Sequence, residues 1–69
     1  MRKTTDNATS RLLRLAEAAK YVSASTRLLR ALVQEGTLPI VRLSPNDHAP
    51  WLVDRNDLDD LIEKRKTTL

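Results

Sequence analysis

The sequence predicts a small α+β domain, mainly α, in the order helix, tight turn, helix, two-stranded hairpin, helix. Three observations predict it. Apolar residues recur at helical spacing in three separate stretches between positions 12 and 62. Only Ser23-Ala24-Ser25 parts the first two stretches, and the single glycine, Gly36, closes the second. Two β-prone runs, residues 40–43 and 51–53, then flank a stretch of turn formers, Ser44-Pro45-Asn46-Asp47-His48-Ala49-Pro50.

Residues 1–10 are polar and unpatterned, and read as a flexible leader. The domain is expected over residues 11–66, with 67–69 as a fraying tail. Leu15, Ala18, Ala19 and Val22 stand at i, i+3, i+4 and i+7, one face of a first helix. Its start is open to two readings: a Ser10 cap, or an extended segment over 12–14 with the helix beginning near Leu15. The later start is expected. Ser25 is a natural N-cap for the second helix, which turns Leu29, Leu32 and Val33 inward. Gly36 sits where a helix end needs a left-handed residue, and Pro39 forbids continuation. The hairpin of 40–43 with 51–53 carries a seven-residue tip and must pack on the helices, since a lone hairpin is marginal in water. Asp54 caps the third helix, which presents Leu58, Leu61 and Ile62 to the core. The hairpin is then the wing of a winged helix-turn-helix.

At 69 residues there is room for one core. The chain has no cysteine, so disulfides and thiolate zinc are excluded, which suits a cytoplasmic protein. No apolar run approaches the roughly 20 residues of a membrane span, and the first ten residues contain no signal-peptide core. Charge is divided along the chain. Residues 11–42 carry +4, residues 43–63 carry −5, and Lys64-Arg65-Lys66 restore +3. A basic front half is what a polyanion partner asks for. The acids of the back half fill the first turns of the third helix and its cations the last, as the macrodipole favours, so they need no functional account.

A helix presented after a tight turn fits the DNA major groove, which is about 12 Å wide. With Leu29, Leu32 and Val33 inward, the second helix shows Thr26, Arg27, Arg30 and, less centrally, Gln34. Arginine holds guanine O6 and N7, or a phosphate, through two parallel hydrogen bonds. Ser25 and Thr26 stand at a helix N-terminus, where anions are favoured. If Val41 and Leu43 face the core, Arg42 points outward from the wing. Asn46 and His48 at the tip reach phosphate or sugar, or are ordinary loop-tip polarity. Trp51 fits either base stacking or the core, and the core is expected. Tyr21 is expected half-buried with its hydroxyl in water. One histidine, no cysteine and no phosphate-cradling glycine loop leave nothing for an enzyme to use. The acids at 54, 57, 59 and 60 spread over more than one helical face without a calcium-loop glycine, so neither metal nor cofactor is expected.

Residues 13–62 resemble the excisionase-type winged helix-turn-helix, related to MerR-like regulators. The resemblance rests on Ala16-Glu17-Ala18-Ala19 with Tyr21-Val22, on Ser25 before an arginine-bearing helix, on Glu35-Gly36-Thr37-Leu38-Pro39, on Arg42, and on Trp51 before Asp57-Leu58. It implies double-stranded DNA binding, the second helix in the major groove and the wing in the minor groove. By position, Ser25, Thr26, Arg27 and Arg30 match the recognition helix and Arg42 the wing cation. It further implies a recombination directionality factor that bends attachment-site DNA for a phage or transposon integrase, with copies side by side along the DNA. Leu28 stands where the family usually has a polar residue, Ala31 where it often has a base, and Ser23 where glycine is common. A small transcription regulator of a mobile element is the nearest alternative. A protein-interaction module working through the acidic third helix is the alternative from another class.

Overall fold

The computed structural model describes residues 10–69. The leader expected over 1–10 therefore lies, but for Ser10, outside the described residues. In chain order the elements are β1 (Leu12–Arg14), α1 (Leu15–Val22), α2 (Thr26–Gln34), β2 (Leu52–Asp54) and α3 (Arg55–Arg65). Three helices and a two-stranded antiparallel sheet make a mainly helical domain, in keeping with a winged helix-turn-helix. No described helix is long and apolar enough to cross a membrane.

The later start of the first helix holds. Leu12–Arg14 is extended, Leu13 is buried, and Arg14 points out. The Arg14 backbone N–H donates to Glu17 Oε1 at 3.0 Å, tying down the first turn of α1 from inside the helix. Both α1 and α2 end by the same device. After α1, Ala24 N–H donates to Ala19 O at 2.8 Å and Ser23 N–H to Lys20 O at 3.2 Å. After α2, Thr37 N–H donates to Leu32 O and Gly36 N–H to Val33 O, both at 3.0 Å. Each pair of bonds demands a left-handed residue between helix and exit. Gly36 supplies it with φ +85°, and a Cβ there would meet nothing within 4 Å, so the dihedral alone asks for glycine. Ser23 supplies it with φ 60° and bears the strain of a side chain.

The sheet differs from the expected hairpin. β2 pairs chiefly with β1, in the register Leu12↔Asp54, Leu13↔Val53, Arg14↔Leu52. Its other edge meets only Val41, through Val41 N–H to Leu52 O at 2.7 Å and Leu52 N–H to Val41 O at 3.1 Å. The expected pairing of residues 40–43 with 51–53 thus contracts to one bridge. Pro39, Pro45 and Pro50 remove donors around it. Asn46 and Ser44 spend themselves on local turns: Asn46 N–H donates to Ser44 Oγ at 3.2 Å and His48 N–H to Asn46 Oδ1 at 2.8 Å. Leu43, expected inward, is 75% exposed, because no ladder continues past Val41 to turn it in.

The core is Leu13, Leu15, Ala18, Ala19, Leu29, Leu32, Leu38, Val53 and Leu58, with Val22, Val33, Ile40, Trp51 and Leu61 packed around it. Ile62, expected in the α3 stripe, stands at its edge and is exposed. Asp54 caps α3 by accepting from Asn56 N–H at 2.9 Å. Its other oxygen takes Arg11 Nε at 3.1 Å, and Arg55 N–H donates to Arg11 O at 2.7 Å. The Asn56 amide, then the Arg11 guanidinium, hold the Asp54 carboxyl below its ordinary pKa. The Tyr21 hydroxyl is not left to water. It donates to Asp59 Oδ1 at 2.7 Å, joining α1 to α3, and that bond raises the phenol above its ordinary pKa.

Candidate nucleic-acid interface

The second helix is presented as its sequence requires. Ser25 Oγ accepts from Leu28 N–H at 3.0 Å, fixing the first turn of α2. Leu29 and Leu32 are buried and Val33 half-buried. At about 100° per residue, Arg27, Arg30 and Gln34 then fall within an arc of roughly 60° on the outer face. All three are exposed. Leu28, 49% exposed, lies to the far side of that stripe. None of Arg14, Arg27, Arg30 and Arg42 forms an ion pair with a described carboxylate. The acids nearest in sequence are otherwise engaged: Glu17 on the Arg14 amide and Glu35 on the Thr37 hydroxyl, at 3.4 Å. Among the described residues these guanidinium groups are therefore uncompensated, which is what a polyanion-facing surface needs.

The stripe borders a concavity. Arg14, Ala16, Thr26, Arg30, Pro50 and Trp51 line an open trough of about 520 Å³ between the start of α1, the start of α2 and the residues entering β2. Thr26 and Arg30 of the expected site meet here. Arg27 and Gln34 stand on the same helix beside it. Arg42 is exposed, as expected. Arg42 follows Val41, the residue bridged to Leu52, and lies outside the trough's lining. Asn46 and His48 are exposed in the loop and line no part of the trough. The Asn46 side-chain carbonyl already accepts from the His48 amide, which leaves its NH₂ and one lone pair to meet a partner. Ser25 has a structural duty as the cap.

Sequence reasoning passed over Arg14 and underused Trp51. The signal for Arg14 was present. Once residues 12–14 are read as a strand, the period of two that buries Leu13 turns Arg14 outward. Trp51 packs on the core, as expected, and also lines the trough beside residues of α1 and α2. Among the described residues, no three of His, Cys, Asp and Glu gather as a metal site. A second groove, between α3 and the segment after α2, mixes Asp57 and Asp60 with Lys64 and Arg65 and so carries no net sign.

The helix-turn-helix domain model matches residues 12–66 of the chain, covering every described strand and helix. No curated protein and no solved structure matches it.

Proposed function

From the premise that the chain belongs to the helix-turn-helix domain family, a family that binds double-stranded DNA, we propose that it is an excisionase: a recombination directionality factor that bends attachment-site DNA for a phage or transposon integrase. α2 enters the major groove and presents Arg27, Arg30 and Gln34 to base edges and phosphates. The segment around Arg42 lies along the backbone or minor groove, with Asn46 and His48 toward sugar and phosphate. Ser25 and Thr26 set the N-terminus of α2 against the backbone.

The observation that carries this reading is the uncompensated stripe on α2. Its cations have no described acidic partner, although eight of the chain's nine Asp and Glu residues lie among the described residues. The resemblance of Glu35-Gly36-Thr37-Leu38-Pro39, Arg42 and Asp57-Leu58 to the excisionase type selects the recombination role among DNA-binding roles. Asp54 caps α3 and Asp57 stands in its first turn, as the helix itself favours, so these two acids do not call for a protein partner. A module of this size offers about 600–1,000 Å² to DNA, so occupancy of a site relies on neighbouring copies or on the integrase.

The test is an excision assay with the element's integrase, run with and without the protein, alongside a footprint on the element's ends. Excision that depends on the protein, with protection at the ends, is the expected result. Protection confined to a promoter, with excision unchanged, assigns the protein to transcription regulation instead.

A further inference from the structure

We infer that Arg14 and Trp51 form a second DNA contact: a seat for one backbone phosphodiester, beside the recognition helix and outside the expected site. The inference rests on the DNA-binding reading above and deepens it. Three observations meet at one place. Arg14 and Arg30, from different elements, line the same open trough. Neither has an ion pair with a described carboxylate, so two like charges share a concavity with nothing described to balance them. The half-buried Trp51 indole and the Pro50 ring line the trough with them. An apolar wall flanked by guanidinium groups matches one unit of a DNA strand, in which an apolar deoxyribose face lies beside a charged phosphate.

The placement follows from the sheet. Arg14 pairs with Leu52, whose chain neighbour is Trp51, and Arg14 and Trp51 line the same trough. The backbone of Arg14 is committed to β1 and to Glu17, and its side chain to nothing described. A side chain so free of structural duty is spent at no loss to the fold. Arg30 then meets the groove and the DNA strand beside it, and Arg14 adds a second contact to that strand from the same trough.

The experiment is anisotropy of a labelled duplex between about 50 and 200 mM salt for the wild type, Arg14→Gln and Arg14→Lys. Arg14→Gln should weaken binding alike across duplex sequences and reduce the slope of log affinity against log salt by about 0.9. The advantage of the wild type over it then shrinks about 3.5-fold across that salt range. Arg14→Lys keeps the point charge and should keep the slope. The single tryptophan gives a readout on the unaltered protein: duplex should shield Trp51 from acrylamide quenching. A wild-type slope in Arg14→Gln, or quenching of Trp51 unchanged by duplex, overturns this inference. If Arg27→Ala and Arg30→Ala still reduce the slope in that case, the DNA-binding reading stands. Shielding of Trp51 to the same degree by inorganic phosphate at matched ionic strength also overturns it, as a simple anion site. A wild type that binds no duplex ends both.

Discussion

Neutralising the outer arginines should flatten the salt dependence of DNA binding in steps that can be counted. Arg27, Arg30 and Arg42 are exposed and have no ion pair with a described carboxylate, so each starts at full charge and each phosphate contact releases counterions. These three contacts at about 0.9 each contribute about −2.7 to the slope of log affinity against log salt, beside the share of Arg14. Their share alone lowers affinity about 40-fold between roughly 50 and 200 mM. Each single alanine variant should return about 0.9 of that slope if its arginine meets a phosphate. An arginine that reads guanine behaves differently: its loss costs about 1–3 kcal/mol at the preferred site, relaxes specificity there, and leaves non-specific affinity nearly unchanged. Anisotropy of a specific and a scrambled duplex at four salt concentrations separates the two roles. A wild-type slope near zero, or three alanine variants that all keep the wild-type slope, refutes the reasoning, because the cations would then face solvent only.

Three further outcomes concern the scaffold. Leu58→Ala empties a fully buried position at the junction of α3 with the core, and should cost about 2–5 kcal/mol in a urea titration, a large share of what so small a domain possesses. Ser23→Gly should raise stability by roughly 0.5–1 kcal/mol, since the left-handed residue costs about 1–2 kcal/mol with a side chain and glycine returns part of that as chain entropy; a lower denaturation midpoint would contradict the strain assigned to this turn. Asp54 sets the acid limb. Its folded pKa is depressed by the Asn56 amide and Arg11, so its stabilisation is complete above the ordinary carboxylate range and drains away as pH falls through that range and below. Asp54→Asn should therefore show a shallower loss of stability than the wild type between pH 5 and 2, about three units that a set of urea midpoints covers.

Much of this fold could be read in advance because its signals are local. Helical spacing gave the inward faces of α1 and α2, Ser25 and Asp54 announced two caps, and Gly36 marked a left-handed exit. What escaped was pairing between distant residues. Nothing near residues 40–43 says that β2 will prefer Leu12–Arg14 as its partner, because that preference is settled by Leu13 and Val53 meeting in the core. Leu38, which the sequence places only within the Glu35-Gly36-Thr37-Leu38-Pro39 motif, is fully buried. The same blindness hid Arg14 from the expected site. A guanidinium at the end of a three-residue strand acquires a setting only when Leu52 and Trp51 arrive beside it. The Tyr21–Asp59 bond, 38 residues apart, is a third instance. The outer stripe of α2 was legible because its members lie on one helix and inherit their direction from the residues they alternate with.

The run Trp51-Leu52-Val53-Asp54 belongs to every part of this molecule at once. One residue walls the trough, the next is held from both edges, the third fills the centre, and the last begins α3. A mutational survey scored only by activity would rank these four positions first and mistake collapse for lost recognition. Arginines on the outside are the cleaner witnesses, because they can be silenced while the architecture behind them stays intact.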